Sequence, residues 1–298
     1  MNYSVISFFW GGQSLEKQLR RIIPKLALYN FKSVVKCYEK YALIRYRKHF
    51  DEILNFRNSY FVIGKDVTLF PSVYLGIYEE KELDILLNLE FPKDLIFWDV
   101  GANVGIYSVI FGKKFPAGRV IAFEPNLVLH SKMIKNLELN DVENVTIEKS
   151  GLSNIEGWAQ LEEQRGRAGA GRISSISSEY FESKSIRLIS GDMYAKDFPK
   201  LIPHFIKIDV EGHEPEVIEG LSNVLNQFKP VLMIEIFSNL WESERKDAWR
   251  RTIMNLFSLY SQAVLISDGI DIKIRKWDMK FLNGSMQTLI FYSDMSLL

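Results

Sequence analysis

Runs of apolar residues alternate with helical stripes over most of the chain, and that alternation sets the expected elements. Leu95–Val100 is almost continuously apolar, the pattern of a strand buried on both faces. Similar runs at Arg119–Phe123, Val145–Lys149, Phe205–Asp209 and Val231–Ile236 predict four more strands. Between them the apolar spacing is helical. Asn126 is a cap for a helix reaching about Asn140. Val217, Ile218, Leu221, Val224, Leu225 and Phe228 form a 3.6-residue stripe, and Trp249, Ile253, Leu256, Phe257 and Tyr260 form another. Two last strands fit Ala263–Ser267 and Gln287–Tyr292.

The first part of the chain reads differently. Residues 15–57 have helix-like spacing, with Pro24 breaking or starting a helix. Tyr60–Val73 is rich in β-branched and aromatic residues around a Gly64-Lys65-Asp66 turn, and is expected to be extended. Glu79–Leu89 reads as a helix. Residues 151–204 show no clear periodicity and contain an arginine- and glycine-rich run, Gln164–Arg172. They are expected to form a long mobile loop at the mouth of a site, the alternative being a plain disordered insertion. The division that follows is a helical extension over 1–65 and a catalytic domain over 66–298.

Strand–helix alternation implies a doubly wound α/β fold with a mostly parallel sheet. Such sheets bind ligands at the carboxyl ends of their strands. That rule selects Asp99, Glu124, Ser150, Asp209 and Glu235, each at or just beyond an expected strand end.

Composition adds little. The 298 residues carry 37 basic and 37 acidic side chains, so net charge names no partner. The local balance says more, because residues 15–57 hold eleven Lys or Arg against four Asp or Glu. Such a front end can touch an anionic membrane surface, or can be a solvated helical face. Cys37 is the single cysteine, which excludes an intrachain disulfide and a cysteine metal cluster. No stretch has the ~20 apolar residues of a spanning helix. The start of the chain is a poor secretory signal. A cytoplasmic protein is expected, with peripheral contact at the inner face of a membrane as the further option. No RNA-binding signature is present, so no nucleic acid partner is expected. Oligomeric state is not legible.

The chemistry concentrates in two segments. Asp99-Val-Gly-Ala-Asn-Val-Gly105 leaves the first strand and opens a helix, and its glycines let backbone approach a ligand closely. Glu124 closes the second strand, where a carboxylate can accept hydrogen bonds from both hydroxyls of an adenosine ribose. A nicotinamide fingerprint would read G-x-G-x-x-G, whereas this loop reads G-x-N-x-G behind an acid. Asp99 suits a cationic ligand such as S-adenosylmethionine better than a pyrophosphate. A nicotinamide oxidoreductase is the weaker alternative. The second segment, Asp209-Val-Glu-Gly-His-Glu214, follows the fourth strand. An alcohol must lose its proton to attack a methyl group, so a base is needed. His213 or Asp209 fits, with Glu211 in support. Alternatively His213 only starts a helix whose N-terminus favours the neighbouring acids. A hard metal ion held by Asp209, His213 and Glu235 is a further option, on weak spacing.

These motifs together resemble the FkbM family of class I methyltransferases. The matching runs are Phe97–Ser108, Val120–Pro125, Asn144–Ile147, Phe205–Glu214 and Lys229–Ile236, preceded by Gly76-Ile-Tyr-Glu79. The likeness covers about residues 70–240. It implies a seven-stranded sheet whose last strand is antiparallel, and methyl transfer from S-adenosylmethionine to a hydroxyl on a sugar, glycolipid or secondary metabolite. It implies that Asp99, Gly101, Ala102, Asn103 and Gly105 border the methionine part of the cofactor, and that Glu124, followed by Pro125, holds the ribose. Ser150, Gly151 and Leu152 would flank the adenine. Trp98 departs from the smaller aliphatic usual in the family, a difference expected to reflect packing. A methyltransferase for nitrogen or a protein side chain is the runner-up, but its usual Asn/Asp-Pro-Pro-aromatic run is replaced here by Asp-Val-Glu-Gly.

Overall fold

The computed structural model describes residues 44–46, 48–66, 69–164, 167–174, 181–237, 243–267, 270–274 and 286–293. Most of the basic front end, and Arg165 and Gly166 of the glycine-arginine run, lie outside them.

The central sheet contains β3 (Ile96–Val100), β4 (Arg119–Phe123), β5 (Val145–Glu148), β10 (Phe205–Ile208), β11 (Val231–Phe237), β12 (Gln262–Ser267), β13 (Ile270–Ile274) and β14 (Met286–Tyr292). The spatial order is β13-β12-β14-β11-β10-β3-β4-β5. β5, β4, β3, β10 and β11 pair in parallel, and β14 runs antiparallel to both β11 and β12. Seven strands thus form the expected doubly wound sheet with its last strand reversed. The antiparallel strand β13 adds an eighth at the edge.

Alternate residues of the central strands serve two cores. On one face Phe97 stacks on Phe205 at 4.6 Å, and both pack on Phe111 of helix α3 (Ile106–Lys114). On the other face Trp98 meets Phe123 and Tyr194, each at 5.4 Å. Its indole N–H donates to the Leu201 carbonyl at 2.8 Å. The tryptophan is therefore a packing residue whose one polar atom is satisfied.

The segment before β3 departs from expectation. Leu54–Phe56 (β1) is a strand where a helix was expected, and it pairs as a hairpin with Ser59–Phe61 (β2), at the start of the expected extended run. Arg57 and Asn58 both take positive φ, 49° and 58°, as a tight two-residue turn requires. Leu54, Phe56 and Phe61 enter the main core. Asn136 and Asn140 of α4 (Leu127–Glu138) and the turn after it hydrogen-bond the backbone of Tyr60 and Val62. These side chains occupy an edge that would otherwise be open. The expected extended run to Val73 ends early because Asp66 caps a helix, accepting from Leu69 N at 2.8 Å. Helix α1 is Leu69–Tyr74, and α2 is Glu80–Asn88.

The expected loop over 151–204 is corrected most. It holds a second, four-stranded sheet, in the order β6-β9-β7-β8: β6 (Ser150–Ser153), β7 (Gly157–Gln164), β8 (Arg167–Ser174) and β9 (Phe181–Ser190). Leu161, Ile186 and Leu188 form its small core. The helix α5 (Gly191–Asp197) and a short 3-10 turn return the chain to β10. After β10 the expected single helix is two, α6 (Glu214–Gly220) and α7 (Ser222–Phe228), before α8 (Ser243–Leu259). Among the described residues no helix is long and apolar enough to cross a membrane.

Candidate active site

The loop from Gly101 to Gly105 turns tightly because Gly101, Asn103 and Gly105 all adopt positive φ, 79°, 54° and 82°. Two consecutive N–H groups, of Gly101 and Ala102, donate to the Phe123 carbonyl. This ties the loop to the end of β4. There Glu124 is buried, and its two carboxylate oxygens divide their work. One accepts from Asn103 N and the other from Asn126 N, both at 2.8 Å. The ring of His130 contacts the Glu124 carbonyl at 2.6 Å. A carboxylate has about four acceptor positions, so Glu124 can serve two backbone amides and still face a ligand.

Pro125 follows and touches the next element. A Cβ on Gly151 would meet Pro125 Cγ at 3.5 Å and Leu188 Cδ2 at 3.1 Å. Ser150, Gly151 and Leu152 are buried and form β6 instead of a loose connection. Leu152 turns into the core shared with Trp98 and Tyr194.

β10 lies beside β3 and brings its own loop against the first one. A Cβ on Gly101 would sit 1.9 Å from the Asp209 carbonyl oxygen, so only glycine allows this approach. Asp99 is 1% exposed, and one of its oxygens accepts from Ser108 Oγ at 2.6 Å. The other, Oδ1, is buried with no hydrogen-bond partner. Burial pushes its carboxyl above the usual range, against the pull of Lys207.

A small cleft opens between these loops, lined by Tyr78, Asp99, Gly101, Asn103, Tyr107, Lys207 and Asp209. Lys207 is 3% exposed. Its Nζ lies 3.0 Å from Asp209 Oδ2 and 5.0 Å from the centre of the Tyr107 ring. Burial alone would lower its pKa, but Asp209, Glu79, Asp99 and Glu235 together hold it above the ordinary lysine value. Burial also acts to raise Asp209, and Lys207 with a hydrogen bond from Glu235 overrides it, leaving Asp209 below the usual value. Glu235 is driven the other way, first by burial and then by Asp209. The same surroundings thus favour the charge on Asp209 and the proton on Glu235.

Glu79 approaches from the segment before β3, with a left-handed backbone (φ 40°). It accepts from Tyr107 OH at 2.5 Å, and burial pushes its carboxyl up to about 7. Tyr78 and Tyr107 are kept neutral by the same burial.

His213 does not join this group. Its Nε2 lies 3.0 Å from Ser153 Oγ and its Nδ1 3.5 Å from Glu216, and burial lowers its pKa. It stands at the N-cap of α6, turned toward the second sheet. Glu211 has positive φ (53°) and lies near enough to Glu235 to raise its pKa. Glu214, 1% exposed, accepts from Val210 N and Gly212 N, both at 3.1 Å. Arg245 of α8 holds the same loop through the Gly212 carbonyl and Glu216. Asp209 and Glu235 thus meet, and His213 stands apart from them. Among the described residues no group of three or more His, Cys, Asp or Glu is arranged to hold a metal ion.

Sequence reasoning missed Lys207, Tyr107 and Glu214 as site residues. The signal for Lys207 was available: a lysine within a strand whose neighbours are all apolar must find buried partners.

Comparison with known proteins places this arrangement. The methyltransferase FkbM domain model matches residues 99–259. The hexuronic acid methyltransferase AglP of Haloferax volcanii is 31% identical over 154 residues. That match covers 52% of this chain and 61% of that protein, less than two thirds of its length. The methyltransferase sdnD of Sordaria araneosa is 27% identical over 194 residues, 55% of this chain and 73% of that protein. The crystal structure of methyltransferase FkbM from Methylobacillus flagellatus aligns at 15% identity and a TM-score of 0.43, over 95% of this chain and 61% of that one.

Proposed function

The chain belongs to the FkbM methyltransferase family, and from that premise we propose that it is an O-methyltransferase. It moves a methyl group from S-adenosylmethionine to a hydroxyl of a sugar, glycan, glycolipid or secondary metabolite. One observation carries the reading: Asp209, with the Lys207 ammonium 3.0 Å away, lines the same cleft as Gly101, Ala102 and Asn103. The name of the Haloferax relative favours a sugar acid as acceptor.

The residues fit the cofactor. Asp99 offers a buried oxygen without a partner, suited to the cationic amino-acid part. Gly101, Ala102, Asn103 and Gly105 would border that part, and Glu124 would hold the ribose hydroxyls. Pro125, Ser150, Gly151 and Leu152 would border the adenine. When bound, the cofactor supplies an electrophilic methyl group on a sulfonium.

The chain's own task is to align the acceptor and take its proton. Asp209 is the base of this proposal. It accepts the hydroxyl proton while Glu235, whose carboxyl is raised by burial and by Asp209, remains hydrogen-bonded to it. His213 and Glu211 support the loop instead of receiving the proton.

A transfer assay with isotope-labelled S-adenosylmethionine over a glycan panel that includes hexuronides tests the reading. Label is expected in an ether-linked methyl on one acceptor. Absence of any S-adenosylhomocysteine uptake by calorimetry would overturn it.

A further inference from the structure

We propose that Lys207 is a positioning residue for Asp209, fixing both the direction and the charge of the carboxylate that faces the cleft. The inference rests on reading Asp209 as the acceptor base. Lys207 itself is not asked to touch the acceptor.

The geometry leaves the ammonium little choice. Lys207 sits in mid-β10, paired in register with Asp99 of β3 and Met233 of β11. Its two strand neighbours, Ile206 and Ile208, are fully buried. The side chain must therefore end inside the molecule, where an unpaired ammonium is costly. Carboxylates surround it from separate elements: Asp99 on β3, Glu79 ahead of α2, and Glu235 on β11. Asp209, the group at salt-bridge distance, is two residues along the same strand end. The Tyr107 ring closes the remaining side and favours a cation over its face.

Several acids around one cation cannot all stay ionised in a buried space. The ammonium decides between them by distance. Asp209, at 3.0 Å, keeps its charge, and Glu235 keeps the proton. Without the ammonium that division is lost. Asp209 would then gain a proton at higher pH and lose one of the two side-chain contacts that aim it, keeping the hydrogen bond with Glu235. A base protonated at working pH cannot accept another proton, so Lys207 governs turnover through its neighbour.

The test is a carboxyl carbon-13 titration of the full chain labelled at aspartate, with Asp209 assigned by the signal lost in Asp209→Asn. In the wild type the midpoint should lie below the ordinary ~3.9 of aspartate. In Lys207→Met it should rise by about one to three pH units, the range an adjacent cation commands. Lys207→Arg should restore most of the shift. Calorimetry with S-adenosylhomocysteine should show Lys207→Met still binding, which separates this proposal from the cofactor reading. An unmoved midpoint in Lys207→Met overturns the proposal. If that variant does not fold, a wild-type midpoint at or above ~3.9 overturns it instead, and one below supports it. The base reading fails separately, if Asp209→Asn transfers label to methyl glucuronide as fast as the wild type.

Discussion

Gly101 and Asp209 belong to different loops, yet a single carbon added to Gly101 would stand 1.9 Å from the Asp209 carbonyl oxygen. The loop after β3 and the loop after β10 are thus in backbone contact, and a shift of one presses on the other. Gly101→Ala should therefore injure both. It also places a side chain at φ 79°, a conformation that costs a non-glycine residue about 1–3 kcal/mol. Denaturant unfolding should show a loss of at least that size, and calorimetry should show S-adenosylhomocysteine uptake weakened beyond detection.

Asp209 and His213 make a discriminating pair. Asp209 lines the cleft, while His213 contacts Ser153 and Glu216. Asp209→Asn should lower turnover by about 10²–10⁴, the usual value of a positioned base. His213→Gln keeps a polar partner for Ser153 and should cost less than about tenfold on the same scale. A drop in His213→Gln equal to that in Asp209→Asn would move the base assignment to the histidine.

Glu124 uses both oxygens as acceptors, one for each of two backbone amides. Glutamine offers one carbonyl oxygen and one NH₂ group, which would face an N–H. Glu124→Gln thus leaves a donor unsatisfied, at about 1–3 kcal/mol. S-adenosylhomocysteine affinity should fall roughly ten- to hundredfold, measured by calorimetry.

Glu214 predicts a pH effect on stability. Burial pushes its carboxyl up to about 7, so the folded protein holds its proton more tightly than the unfolded chain does. The associated stability is complete below the ordinary glutamate value of ~4.3 and is lost as pH rises to about 7. Glu79, also raised to about 7, acts in the same direction. Glu214→Gln retains an acceptor for Val210 and Gly212 but cannot ionise. Its melting temperature should change less between pH 5 and pH 8 than the wild type's, with the gap widening toward pH 8.

Much of this was readable in the chain. The sheet announced itself because β3, β10 and β11 are buried on both faces and so are written as apolar runs, each interrupted by one charged residue, Asp99, Lys207 and Glu235. The glycine loop was legible because its backbone demands glycine. The second sheet was not: β7 and β9 mix charged, serine and small residues, a weak alternation that resembles a loop. The hairpin at 54–61 was hidden by helical spacing upstream, and Asn58 at its turn was the cue passed over. Glu79 and Tyr107 lie 28 positions apart, and nothing local says that they meet.

Within the second sheet, β6 and β9 run side by side in parallel, from Ser150 beside Arg187 to Ser153 beside Ser190. The chain therefore leaves the end of β6 and, after β9, comes back beside the same place. Whatever hangs between those two ends behaves as a cassette. The β7–β8 hairpin can be grafted, trimmed or extended while the junctions stay put, because closure entropy grows only slowly with the length enclosed.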